Sequence, residues 1–130
     1  MKTATEYLAD GFPVATGTVT FLPFSEGGRK TMPYLSGTYR PHIVIQAPTV
    51  RRATTGADGL GNEKYLGVQF FGGTNDGEFG VSHECSMVFT HHQRVDYSGA
   101  TPASTFTVRE GSRVVGFGEI KTVVFPSSSG

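Results

Sequence analysis

Thr105–Phe125, TFTVREGSRVVGFGEIKTVVF, is the stretch that decides the fold. Its two halves are rich in threonine, valine and phenylalanine, which is typical of β-strands. Glu110–Arg113, EGSR, lies between them and predicts a tight hairpin turn, because glycine adopts the backbone angles that such turns need. Gly116 and Gly118 predict a bulge or a bend in the second strand. A long last strand with a bend indicates a sheet that closes into a barrel.

Four earlier segments show the same strand-forming composition, with β-branched and aromatic residues in rough alternation. They are Ala15–Phe24, Arg40–Ala47, Lys64–Phe71 and Glu84–His91. Glycine-rich connections separate them, and the 18 glycines are about twice the usual share. The sequence therefore predicts an all-β protein, built as a small antiparallel barrel or sandwich.

The length of 130 residues predicts one domain. We expect an N-terminal arm over residues 1–13 with a short helical turn near Glu6–Leu8, a β-domain over residues 14–125, and a disordered tail over residues 126–130. Residues 48–63 and 72–80 are expected to be loops, because glycine recurs in both segments.

Lys and Arg together number 11, as do Asp and Glu, so the formal net charge is zero. A general attraction to nucleic acid or membrane is therefore not expected, and anion binding would need a local basic patch. The single cysteine, Cys85, excludes an intrachain disulfide and fits a reducing compartment. Without a recognisable signal peptide or apolar span, the expected location is the cytoplasm.

Two separated motifs resemble one family. Glu26–Ile45, EGGRKTMPYLSGTYRPHIVI, resembles the motif EGGRHTPFF-x-GYRPQFYF in the C-terminal β-barrel domain of elongation factor Tu. Phe106–Val124, FTVREGSRVVGFGEIKTVV, resembles the closing hairpin of that domain, FAIREGGRTVGAGVVAKVL. The motifs occur in the same order, and they imply a Greek-key β-barrel. Residues 48–83 match poorly and are interpreted as an insertion that includes the strand KYLGVQFF.

The resemblance implies a stand-alone, non-catalytic binding module that contacts a translation component, either tRNA or a translation-factor protein. The chain has no GxxxxGK[ST] phosphate loop and no NKxD-like motif, so GTP chemistry of the family's kind is not expected, and no cofactor or metal is implied. The positions expected to face RNA or a partner combine phosphate-binding cations with a hairpin carboxylate and a glycine N–H. They are Arg29, Lys30, Arg40, His42, Glu110, Gly111 and Arg113.

Several alternatives stay open. The arginines could instead pair with Glu26, Glu110 or Glu119 as structural ion pairs. The barrel could serve protein–protein contact or homo-oligomer formation unrelated to translation, through strand edges or through apolar residues within 64–80. A small hydrolase or lyase with a pocket at the barrel mouth is a third hypothesis. The histidines lack zinc-ligand spacing, and Cys85 lies in an apolar strand, which is typical of an unreactive thiol.

Overall fold

All six predicted strands form in the structure, a computed structural model that describes residues 2–52 and 64–126. Residues 53–63 of the predicted loop and residues 127–130 of the predicted tail lie outside the described residues. The elements are α1 (Ala4–Ala9), β1 (Val14–Phe21), a 3-10 turn (Phe24–Glu26), β2 (His42–Ile45), β3 (Leu66–Gly73), β4 (His83–Phe89), β5 (Thr105–Glu110) and β6 (Arg113–Val124).

The strands close into an antiparallel barrel in the order β1-β4-β3-β2-β5-β6. β2, β3 and β4 are neighbours in sequence and in space, and β1 lies beside β4, which is the Greek-key arrangement. β3, which the sequence comparison places in an insertion, is a full member of the barrel between β2 and β4. Side chains that alternate along the strands fill the interior, with Val19, Phe21 and Phe106 completely buried.

β1 and β6 form the seam that closes the barrel, and their backbones approach unusually closely there. A Cβ atom built on Gly17 would lie 2.1 Å from the carbonyl oxygen of Glu119. A Cβ on Gly118 would lie 2.1 Å from the carbonyl oxygen of Thr18. A bulge occurs in β6 beside Gly116, as predicted: Val115 is the extra residue opposite Val108 and Arg109 of β5. A second bulge in β6 lies at Lys121, opposite Thr16 and Gly17 of β1. The glycines of β6 thus serve close strand approach beside the bulges.

The long connection from β1 to β2 covers one end of the barrel. Leu35 is completely buried in the core. The ring of Tyr39 stacks on Phe70 with centroids 5.7 Å apart and meets Phe21 edge-on at 5.9 Å. A Cβ on Gly28 would lie 1.9 Å from the carbonyl oxygen of Leu22, so only glycine fits this folded-back path.

The N-terminal arm covers part of the outer wall. α1 begins with a capping box, in which Thr3 accepts from the N–H of Glu6 and the carboxylate of Glu6 accepts from the N–H of Thr3. Its apolar residues pack on a second, smaller cluster outside the barrel core; the members are Ala4, Tyr7, Leu8, Phe12, Val14, Phe71 and Val88. Across residues 2–52 and 64–126, no helix is long and apolar enough to cross a membrane.

Candidate functional site

The β5–β6 hairpin carries three of the predicted residues, Glu110, Gly111 and Arg113. Gly111, with φ of 63°, occupies the first loop position, where a two-residue turn between antiparallel strands favours glycine. Glu110 and Arg113 are the last paired residues of the hairpin. The carboxylate of Glu110 forms an ion pair with the guanidinium of Arg29, at side-chain exposures of 33% and 24%.

Arg29 reaches the hairpin because the chain after β1 continues along β6 before it turns. The N–H of Leu22 donates to the carbonyl of Val115 at 2.8 Å, which extends the seam by one residue. The 3-10 turn and Gly27, with φ of 87°, then reverse the chain. The N–H of Arg29 donates back to the carbonyl of Leu22 at 3.0 Å. The sequence motif EGGR is therefore the turn that places this arginine at the barrel end.

Tyr39 completes a cluster of three polar side chains. Its hydroxyl donates to Glu110 Oε2 at 2.6 Å, and the guanidinium of Arg29 lies 5.0 Å from the centre of its ring. Burial raises the pKa of Tyr39 far above its usual range, and the hydrogen bond to the Glu110 carboxylate raises it further. Arg29 Nε also donates to the carbonyl of Thr31 at 2.9 Å. Arg29 is thus fixed in orientation, and Glu110 offsets its charge.

Exposed cations and aromatic rings surround this cluster. The ammonium group of Lys30 lies 5.2 Å from the ring centre of Phe24, which is 55% exposed. Tyr34 is 68% exposed and shares with Arg29 and Tyr39 a shallow cleft of about 260 Å³. We call this region the hairpin-end surface; it comprises Phe24, Arg29, Lys30, Tyr34, Glu110, Gly111 and Arg113.

The other two predicted positions, Arg40 and His42, do not belong to the hairpin-end surface. They line a separate cleft on the outer wall of the barrel. Arg40 Nε donates to Gln69 Oε1 at 3.0 Å, and the ring of His42 meets Tyr65 edge-on at 5.9 Å. The structure therefore divides the predicted residues between two surfaces.

Sequence reasoning missed Phe24, Tyr34 and Tyr39. Their aromatic character was visible in the connection, but the pattern gave no way to tell which ring is buried and which is exposed. Two tyrosines five residues apart differ in burial: Tyr39 is partly buried and packs against the core, whereas Tyr34 faces solvent. The nearby prolines and glycines were the available signal that this segment is an ordered surface.

One of the histidines, His91, lies outside the strand that was predicted to contain it. β4 ends at Phe89, so the prediction that this strand continues to His91 is wrong, and His91 and His92 lie in the following turn. Among the residues that the structure describes, no group of three or more histidine, cysteine or acidic side chains could hold a metal ion.

Cys85 is buried in the barrel core, as predicted for an unreactive thiol. Burial raises the pKa of this thiol from the ordinary 9.0 to about 12. A buried neutral thiol is a poor nucleophile, because the thiolate is the reactive species.

We expect the Cys85 thiol to react with Ellman's reagent only after the protein unfolds. Below pH 9.0 the thiol is neutral in both states; between pH 9.0 and about 12 it ionises only when unfolded, so stability falls as pH rises. From about pH 8 to about pH 10.5, the free energy of unfolding should fall by about 2 kcal/mol more than in Cys85→Ala. Urea titrations of both proteins measure this difference. Equal pH dependence, or rapid labelling of the folded protein, would contradict the buried neutral thiol.

No model of a known protein family matches this chain, and no curated protein matches it with significant similarity.

Proposed function

We propose that the protein is a non-catalytic binding module that contacts an RNA component of the translation machinery through the hairpin-end surface. The observation that carries the proposal is the pairing of cations with exposed rings, above all Lys30 beside Phe24 and Tyr34 beside Arg29. The two motifs that resemble the C-terminal domain of elongation factor Tu contribute most of these residues. Phe24 and Tyr34 add stacking groups; Phe24 lies outside both motifs, and Tyr34 lies within the first motif but was not among the residues expected to face RNA.

Cations and exposed rings together suit unpaired or partly unpaired RNA. Cations neutralise phosphates, while aromatic side chains stack on bases at about 1–3 kcal/mol per base. Lys30 and Arg113 are exposed cations, whereas Arg29 is offset by Glu110. A surface with so few available charges should bind RNA weakly, with strong dependence on salt.

Fluorescence anisotropy with labelled tRNA and with duplex RNA, at low and at physiological salt, tests the proposal. The double variant Lys30→Ala/Arg113→Ala should bind tRNA at least about tenfold more weakly at low salt and show a shallower salt dependence, by about one to two units of slope. The matched control is Arg94→Ala/Lys121→Ala, which removes two exposed cations away from the hairpin. Phe24→Ala/Tyr34→Ala should weaken binding without changing the salt slope.

Two results would overturn the proposal. One is the absence of tRNA binding even at low salt. The other is an equal loss of affinity in the hairpin-end variant and in the control, since that would indicate attraction to any cation on the barrel. Preference for tRNA over duplex RNA is expected, because the exposed rings need bases that are accessible for stacking.

The alternative of a barrel for protein contact or self-association receives less support. Phe70 and Phe71 are buried, and Phe79 packs partly against the core, so residues 64–80 do not present the apolar patch that this alternative needs. The closed sheet also leaves no open strand edge in the described parts of the chain.

A further inference from the structure

A second surface, away from the hairpin-end surface, has the form of a small-molecule site. It is a cleft of about 460 Å³ on the outer wall, between the N-terminal arm and strands β2 and β3. This volume lies within the range usual for ligand pockets, about 300–1,000 Å³. We call it the outer cleft; its lining residues are Lys2, Tyr7, Phe12, Arg40, Pro41, His42, Gly67, Val68, Gln69, Val88, Thr90 and His91.

Gly67 forms the floor of the outer cleft and allows a histidine ring to lie against the strand. A Cβ atom on Gly67 would be 2.5 Å from Cδ2 of His91. Gly67 is the cross-strand partner of His42, and such partners direct their side chains to the same face. The side chain of His42 and the ring of His91 therefore lie on the same face of the sheet, above one glycine.

Tyr97 fixes the position of His91. Its buried hydroxyl donates to the carbonyl of Gly67 at 2.6 Å and accepts from the N–H of His91 at 3.2 Å. One hydroxyl thus ties the start of β3 to the turn after β4. Because Tyr97 bonds to the backbone N–H of His91 and to the backbone carbonyl of Gly67, the fold itself places His91 over Gly67.

Arg40 adds a guanidinium group on the same face, two residues before His42. Gln69 accepts from Arg40 Nε and donates to the carbonyl of Gly37 at 3.5 Å, so the guanidinium is held from one side. The second full cation, Lys2, is partly neutralised by Asp10, whose carboxylate lies 2.6 Å away. No aspartate or glutamate is found among the lining residues that the structure describes, although acidic residues equal the lysines and arginines in number along the chain.

The N-terminal arm supplies the aromatic part of the outer cleft. Tyr7 and Phe12 line it, and both rings are only partly buried. Tyr7 is held by contact with Phe71, at a centroid distance of 4.8 Å, and Phe12 by an edge contact with His92 at 5.4 Å. Pro41, Val68 and Val88, all buried residues, also line the cleft. One arginine and two histidines thus face a cavity that also has flat apolar surfaces.

We propose that the outer cleft binds a small phosphomonoester that carries a planar ring, of the size of a nucleoside monophosphate. Arg40 binds phosphate oxygens through its planar fork of N–H donors, and His42 and His91 add hydrogen bonds to the same group. Tyr7 and Phe12 contact the planar ring. This site is separate from the proposed RNA surface and needs none of its residues.

Isothermal titration calorimetry on the full chain tests the site, with AMP, adenosine and inorganic phosphate as probes. AMP should bind saturably and at least about tenfold more tightly than either fragment, because only AMP engages both the cations and the rings. Arg40→Ala should weaken AMP binding at least about tenfold. Gly67→Ala should also weaken AMP binding, because the added methyl group displaces His91. Lys30→Ala/Arg113→Ala should leave AMP binding unchanged, which separates this test from that of the RNA surface.

Thermal unfolding shows whether each variant is folded. If Arg40→Ala does not fold, Gly67→Ala still tests the site. Absence of saturable AMP binding at concentrations on the order of 10 mM would overturn the site. Equal affinity for AMP and inorganic phosphate would overturn the ring contact, and equal affinity for AMP and adenosine would overturn the phosphate contact. A 5′-phosphorylated oligoribonucleotide that binds about tenfold more tightly than AMP would assign the cleft to RNA instead, against the proposal.

Discussion

Gly118→Ala is expected to lower the free energy of unfolding by about 3 kcal/mol, at the upper end of the range for overpacked interiors. The added methyl group would lie 2.1 Å from the carbonyl oxygen of Thr18 and 2.6 Å from Cζ of Phe106. The first of these atoms belongs to the backbone of β1, so no change of rotamer can relieve the contact. β1 and β6 must separate at the seam that closes the barrel, and the midpoint of thermal unfolding should fall by about 10 °C.

Gly99→Ala is the matched control for this prediction. Gly99 has no neighbouring atom within 4 Å of an added Cβ and no positive φ. We expect its free energy of unfolding to stay within about 0.5 kcal/mol of that of the wild type. If the free energy of unfolding of Gly118→Ala also stays within these limits, Gly118 is not needed for the close approach of β1 and β6.

The double variant Gly17→Ala/Gly118→Ala tests the seam as a unit. Gly17 makes the reciprocal close approach from β1, 2.1 Å from the carbonyl oxygen of Glu119. Once one methyl group has separated the strands, the second should cost less, so the combined loss of stability should be smaller than the sum of the single losses. A strictly additive result would mean that the two glycines act independently.

The strands were predictable because their signal is local. Alternation of threonine and valine marked β1, and the EGSR turn fixed the register of β5 and β6. The end of β4 was mispredicted for a reason that is not local. The N–H of His91 bonds to the hydroxyl of Tyr97 instead of continuing along a strand, and a tyrosine six residues away gives no periodic signal.

The candidate sites were only partly predictable, since each depends on residues that are distant in sequence. The motif comparison marked Arg29 and Glu110 as surface groups, yet their pairing joins positions 81 residues apart. The outer cleft was not predicted as a site, although two of its lining residues, Arg40 and His42, were expected to face RNA or a partner. Neither Gly67 nor His91 carries a distinguishing signal in its own segment, and only the pairing of β3 with β4 places the ring of His91 against the backbone of Gly67.

Glu110→Ala is expected to destabilise the protein by about 2–3 kcal/mol. It would leave the hydroxyl of Tyr39 and the guanidinium of Arg29, both partly buried, without the carboxylate that they share. Glu110→Gln keeps an acceptor for Tyr39 and removes only the charge, so this variant should lose less stability than Glu110→Ala. Chemical denaturation measures both, with Glu84→Ala as the control, because Glu84 is an exposed carboxylate on β4. If Glu110→Ala costs no more than the control, the cluster does not contribute to stability.

The same Glu110→Gln variant tests whether the carboxylate contacts RNA directly or acts by offsetting the charge of Arg29. If Glu110 accepts a hydrogen bond from RNA, as the resemblance implies, the amide should bind tRNA about as well or more weakly. If Glu110 mainly offsets the charge of Arg29, its neutralisation leaves the guanidinium available to phosphate. Affinity for tRNA at low salt should then rise several-fold and the salt slope should steepen by about one unit, although the protein is less stable. We expect the second result, because Arg29 and Tyr39 both engage the carboxylate in the structure. Stability and RNA affinity would change in opposite directions, which a general loss of folding cannot produce.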